Sequence, residues 1–274
     1  MRSPGAGFGL AVVIAVVALA LVGPALVPGS PTRQDYDAVL APPGRGHLLG
    51  TDELGRDLLT RLVYGVRPSL AAGAISVGLA LVLGVPMGLL AGHSGGWLDE
   101  VLMRVADALW SFPGLVLAIA VAAILGPGLA NAMVAIGIVY APVFARLVRG
   151  QTVAVREHEY VEAARSVGAS DPRIMARHVW PNVSPPVLVQ SSLMLGQAIL
   201  FEAALSFLGL GVQPPAPAWG SMLRTAYQYI EIDPWYALFP GAAVFVTVLA
   251  FNLLGDGLRE ALDPRLRGQR GETA

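Results

Sequence analysis

Cysteine is absent from these 274 residues, and so is lysine, because all 18 basic side chains are arginine. Without cysteine the chain makes no disulfide, no thiolate nucleophile and no thiolate metal site. Without lysine it cannot complete a Walker A phosphate loop, whose lysine reaches the β- and γ-phosphates. Charge of either sign is also scarce. Only 14% of residues are charged, against roughly 25% in an ordinary soluble domain, while 55% are hydrophobic. The arginine usage, with abundant Ala and Gly, fits a GC-rich genome and carries no functional message. The net charge of −1 selects no partner class.

The few charges are bunched, which leaves charge-free tracts at 3–32, 68–98, 108–145, 183–201, 203–223 and 234–255. A bilayer core about 30 Å thick takes roughly 20 apolar residues in a helix. Tract 108–145 has room for two short spans, with "GPGLAN" (126–131) turning between them. The tracts flanking Glu202 make one helix, with the Glu inside it or near its end. Six spans are therefore predicted, at about 8–28, 70–92, 107–125, 130–147, 184–209 and 236–256. The expected fold class is an all-α polytopic membrane protein. A cleavable signal peptide is the alternative for the first run. That run is long for a signal h-region, and an even number of spans closes the topology more simply.

With both termini in the cytoplasm, twelve arginines fall inside and six outside, five of these in the first external loop. Long loops obey the positive-inside rule weakly, so the bias favours cytoplasmic termini. The segment 1–69 is then a first span plus an external amphipathic stretch, 70–262 the main transmembrane domain, and 263–274 a cytoplasmic tail. Within 51–64 the pattern predicts a surface helix capped by Thr51 or Asp52. Leu54, Leu58 and Leu62 share one face of it, and Asp57 is within reach of Arg61. "GVPMG" (84–88) and Gly92 put small residues four apart on one helix face, where membrane helices approach closely. "GVQPPAPAWG" (211–220) has too many prolines for a helix. Trp219, Trp235 and Tyr236 suit an interfacial aromatic belt.

One compact stretch breaks the apolar pattern. "EYVEAARSVGASDPRIMARHVWPN", residues 159 to 182, sits between two spans on the side assigned to the cytoplasm. Two helices are legible in it. The first should stop at Gly168, which suits the left-handed conformation of a helix C-terminus. The second should start at Ser170 or Asp171 with Pro172 in its first turn, and should end before Pro181. Ala163 and Ala164 give the first helix a flat face beside Glu162, the kind of face that docks into a groove on another protein.

Glu162-Ala163-Ala164, then Gly168, then Pro181 resembles the EAA loop of ABC-importer permease subunits. Two positions depart from that pattern: His178 stands where it has Ile, and Trp180 where it has Leu. The same triplet recurs at Glu202-Ala203-Ala204, but Leu208 replaces the glycine and the neighbours are apolar. Three further blocks, at 47–70, 201–220 and 251–267, resemble the C-type permease of the dipeptide/oligopeptide/nickel branch. The resemblance implies a type I ABC-importer transmembrane domain in a bacterial inner membrane, with 150–182 as the coupling loop. It further implies a heterodimer with a sister permease, two cytoplasmic ATPase subunits or domains and an external binding protein. No nucleic acid, cofactor, metal or catalytic residue belongs to that scheme. The solute would be a peptide or a related small molecule such as a nickel chelate or an opine.

Glu202 is a carboxylate expected within a span and not at its very edge, a costly placement that usually faces a cavity or a partner. A gate or pathway role, cation binding and helix packing are all open to it, with gating or packing ahead of selectivity. Two other function classes fare worse. An intramembrane enzyme needs a nucleophile–base pair inside the spans, yet His47, His93, His158 and His178 all lie outside them or at their edges. A secondary transporter would carry inverted repeats and several buried ionisable groups at the midplane.

Overall fold

In the computed structural model, residues 4–27 and 29–262 are described. Ten α-helices follow in order: α1 (Pro4–Leu26), α2 (Leu58–Ser94), α3 (Gly96–Trp110), α4 (Gly114–Leu125), α5 (Leu129–Arg156), α6 (Glu159–Ser166), α7 (Asp171–Ile174), α8 (Trp180–Phe207), α9 (Trp219–Ala226) and α10 (Pro234–Leu262). A π-helical turn, Met175–Val179, joins α7 to α8. Among the described residues α1, α2, α5, the run 171–207 and α10 are long and apolar enough to cross a membrane. The exposed Leu21, Val82, Ile124 and Phe245 are what a lipid-facing surface requires.

The third expected span is broken. α3 and α4 meet at 92° across Ser111–Pro113. Pro113 has no N–H and disfavours the helical region at Phe112, which fits a break at this point. At 12 residues, α4 is about 18 Å long and crosses only part of a bilayer.

The expected surface helix over 51–64 does not form. α2 starts at Leu58, where Asp57 is the N-cap and accepts from the Thr60 amide at 2.8 Å. It runs unbroken to Ser94, so the boundary expected at 69/70 falls inside a continuous helix. Asp57 does not pair with Arg61. It lies 3.0 Å from His47, while Arg61 turns to Asp52 (3.2 Å) and to the Pro31 carbonyl (2.8 Å). Asp52 is wholly buried and accepts from the backbone amides of Leu54 and Arg56, so its charge is better satisfied there than at a helix cap.

The tightest seam is α2 against α5. A Cβ on Gly84 or Gly88 would collide with the carbonyl of Ala141 or Ala145, and one on Gly92 with Thr152. The expected small-residue face thus brings the two backbones close and continues down to the α6–α7 end of the bundle. At the opposite end the chain builds a lid. Residues 29–57, α9 and the start of α10 cover the mouth of the bundle around Leu58, Met222, Ala226 and Tyr236. This lid overturns two of the three belt residues. Trp219 is buried and donates its indole N–H to the Leu62 carbonyl at 3.1 Å. Tyr236 is buried and donates to Glu53 at 2.7 Å. Trp235 remains 44% exposed. The 211–217 stretch is non-helical, as its prolines require, and α9 begins at Trp219.

Candidate functional site

The charged insert folds as a helix–glycine–helix unit. α6 closes with two paired hydrogen bonds, Ala169 N–H to the Ala164 carbonyl and Gly168 N–H to the Arg165 carbonyl, both 3.0 Å. This reciprocal pattern needs a left-handed residue at Gly168, whose φ is +84°. The Ser170 carbonyl then accepts from Arg173 and Ile174 at 3.0 Å, starting α7 with Pro172 in its first turn. One expectation fails: the helix does not end before Pro181. The π turn 175–179 shifts the hydrogen-bond register, so that Trp180 N–H reaches the Met175 carbonyl. Pro181 then falls in the first turn of α8, where its missing N–H does no harm.

Three aliphatic side chains bolt the unit down. Val161, Ile174 and Val179 are completely buried and join Phe144, Val148 and Val155 of α5 in one apolar core. Each such burial contributes about 1.5–3 kcal/mol, enough to make the unit stiff. Tyr160 lies between His158 and His178, with ring centroids 5.5 and 6.0 Å away, and its hydroxyl accepts from Asn182 at 3.3 Å. α6 is thereby braced against the root of α8. The outward face carries Glu162, Ala163, Gly168 and Val167, the last 85% exposed; Ala164 is half-buried and Pro181 is exposed on α8. Four of the five residues singled out by spacing, Glu162, Ala163, Ala164 and Gly168, lie on this unit, and Pro181 lies at the root of α8.

Sequence reasoning missed the residues that tie the unit to α2. Arg156, at the end of α5, donates from one guanidinium nitrogen to the carbonyls of Gly92 (3.0 Å) and His93 (3.2 Å). Those carbonyls belong to the last turn of α2, whose final C=O groups lie beyond the helix's own hydrogen-bond ladder and carry the negative end of its dipole. His93 then lies 3.3 Å from Asp171 at the start of α7. The contacts join residues more than 60 positions apart, and no local pattern signals them. Next to them, Arg149 grips Asp99 of α3 with two nitrogens, at 2.6 and 3.1 Å. Arg146 pairs with Asp107 and lies 4.6 Å over the Trp110 ring.

Glu202 is enclosed at the other end of α8. It is completely buried, accepts from the Ser206 hydroxyl at 2.6 Å, and does not share the unit's surface. Ser206 in turn accepts from the Val212 amide at 3.1 Å, which connects the carboxylate to the turn beyond the helix.

Residues 84–268 match the family described as binding-protein-dependent transport system inner membrane component, and residues 1–43 match the N-terminal TM domain of oligopeptide transport permease C. The glutathione transport system permease protein GsiD of Pectobacterium atrosepticum is 51% identical over 233 residues, covering 85% of this chain and 77% of its own. The dipeptide transport system permease protein DppC of Alkalihalophilus pseudofirmus is 45% identical over 259 residues, 94% of this chain and 85% of its own. An inward-facing structure of the MetNI methionine ABC transporter superposes with a TM-score of 0.60 at 22% identity, covering 74% of this chain and 96% of that one. That last likeness is one of fold. A chain of membrane-crossing helices that folds like an ABC-importer transmembrane domain, and that matches the transport family over more than half its length, belongs to the binding-protein-dependent transport system inner membrane components: it is the permease of an ABC importer.

Proposed function

We propose that the α6–α7 unit is the coupling element of this permease and that its Glu162–Gly168 face seats in a groove of a cytoplasmic ATPase. The observation that carries this is mechanical. A flat outward face around Ala163 rests on three buried anchors and is braced to α5, α8 and α2. Displacing such a unit moves three spans together, because none of its attachments is a flexible loop.

In this scheme the chain pairs with a sister permease, two ATPase subunits or domains supply hydrolysis, and a binding protein delivers solute from outside. Hydrolysis falls to the partners, since a chain without lysine holds no Walker A loop. Both termini and the α6–α7 unit face the cytoplasm of a bacterial inner membrane, as the arginine distribution favours. The solute is a peptide or a peptide-like molecule such as glutathione, in keeping with the names of the relatives; a nickel chelate or an opine is the alternative. Glu202 serves gating through packing: by way of Ser206 it holds the turn at Val212, and with it the outer end of α8.

The test is mild-detergent purification of the tagged chain from its host, with identification of stoichiometric companions. A second permease and Walker-motif ATPases are expected. A self-associated chain with no nucleotide-binding companion would sink the proposal.

A further inference from the structure

The last turns of α10 carry an arginine that the fold leaves without a counter-charge. The charge-free run 234–255 spans about 33 Å as a helix, enough to cross a hydrocarbon core about 30 Å thick. Asp256, Arg259 and Glu260 follow it and therefore stand at the level of the lipid headgroups. Arg259 is exposed, and it has no hydrogen-bond or ion-pair partner among the described residues.

Arg259 lines a groove of about 460 Å³ between α5, α8 and α10. α8 and α10 approach closely at Gly255, where a Cβ would collide with Ser192 and Leu193. One turn farther along α10 the space between them is open, walled by Leu147, Pro185, Pro186, Val189 and Leu193. The two proline rings present hydrocarbon and no N–H to it. Gln190 is the other polar side chain in the wall; Asp256 and Glu260 line no part of it. Leu262 in the wall and Leu188 beside it are exposed, as on a face turned towards lipid.

All three helices change polarity at this height. Arg146 precedes Leu147 on α5, Val183 follows the charged insert on α8, and Asp256 follows Gly255 on α10. A soluble anion would use the guanidinium and leave the apolar walls wet, whereas a phospholipid uses both. We propose that the groove binds an anionic phospholipid from the leaflet on the α6–α7 side. Its phosphate sits on Arg259, with Gln190 as a further donor, and an acyl chain lies against Pro185, Pro186 and Val189. The planar guanidinium matches a phosphate with two N–H groups, and basic pockets between membrane helices suit acidic headgroups. A zwitterionic headgroup fits less well, because its ammonium finds no carboxylate in the wall. Under the orientation proposed above this leaflet is the cytoplasmic one, and that clause alone rests on that reading.

The test uses the tagged full chain, with whatever companions co-purify in mild detergent. Native mass spectrometry follows titration with dioleoyl phosphatidylglycerol and, separately, dioleoyl phosphatidylethanolamine, which share acyl chains. Saturable binding is expected to favour phosphatidylglycerol by about fivefold, the effect of one arginine near an anionic surface. Arg259→Gln should abolish that preference, and Arg45→Gln, an exposed arginine of the lid, should leave it unchanged. Equal binding of the two lipids, or an unaltered preference in Arg259→Gln, overturns the proposal.

Location is read on the unmodified protein in membranes, which decides the matter even if Arg259→Gln folds poorly. Phosphatidylglycerol with a diazirine on its acyl chain should crosslink within 185–193, severalfold more than the phosphatidylethanolamine analogue. No crosslinks there, the outcome expected if the sister permease covers the groove, overturns the proposal. Suppression of the crosslinks by excess inorganic phosphate would mark an ion site and overturn it as well. The identity of the companions reports separately on the importer scheme, and neither readout depends on which side the termini face.

Discussion

The guanidinium of Arg156 reaches across from α5 to the carbonyl of Gly92 at 3.0 Å and closes the end of α2. The same side chain holds the His93 carbonyl, and His93 faces Asp171 on the unit that begins at Glu159. These contacts tie α6 and α7 to α2, which starts under the lid and runs through the bundle, so under the coupling role proposed above motion at the unit would reach α2. The unit is attached to three spans, where the sequence suggests only the two that flank it.

Arg156→Ala should separate transport from hydrolysis. Hydrogen bonds from a charged group contribute about 1.5–3 kcal/mol, and their loss leaves the last carbonyls of α2 unpaired. Solute taken up per ATP should fall severalfold in proteoliposomes, with the ATPases still co-purifying. Arg156→Lys should restore part of the ratio, since an ammonium also donates to carbonyls but is a more strongly hydrated point charge than the guanidinium. An unchanged ratio in the alanine variant would remove α2 from the transmission path.

Gly168→Val should disable coupling without preventing membrane insertion. Open space surrounds the position, so the strain comes from the backbone alone. A β-branched residue at φ +84° costs about 1–3 kcal/mol and breaks the reciprocal closure of α6. Glu162→Lys should weaken ATPase docking through charge instead, leaving the fold of the unit intact. Normal uptake by a well-expressed Gly168→Val variant would refute the coupling role of the unit.

Gly88→Val should be among the most damaging substitutions in the bundle. Its Cβ would strike the Ala145 carbonyl and the Val148 side chain, and backbone cannot rotate away. Overpacking of this kind costs about 1–3 kcal/mol or more, which a thermal-stability assay in detergent would register as a clear drop in midpoint. Gly78→Val is the control, because nothing lies within 4 Å of its Cβ and little change is expected.

Asp233 caps the start of α10, accepting from the Trp235 amide at 3.2 Å, and one of its oxygens has no hydrogen-bond partner among the described residues. Burial raises its pKa above the ordinary aspartate range. A carboxyl raised in the folded state contributes stability that is complete below the unfolded pKa, about 3.9, and that fades as pH rises through the folded value. Wild-type stability should therefore decline relative to Asp233→Asn from pH 4 upward. The difference between their melting points, followed with pH, checks this. A wild type that gains on the Asn variant as pH rises would reverse the sign and remove the account.

Composition and charge-free runs were enough to read a membrane-spanning all-α chain and the approximate place of most spans, and local backbone rules were enough to read a helix–glycine–helix unit at 159–182. Gly168 ends a helix because of its own φ, and Gly84, Gly88 and Gly92 share a face because a helix repeats every 3.6 residues. The remaining contacts came from packing between distant segments. Trp219 and Tyr236 looked like belt residues until a lid of distant segments covered them. Pro181 looked like a helix end until a π turn shifted the register around it. Asp57 looked like a partner for Arg61 until Asp52, folded beneath both, offered a better-buried contact. The link from Arg156 to Gly92 joins the ends of two helices that only packing brings together. Local preference fixes an element, but the partner of a buried polar group is chosen by whatever the fold places within hydrogen-bond distance, and that choice is made in three dimensions.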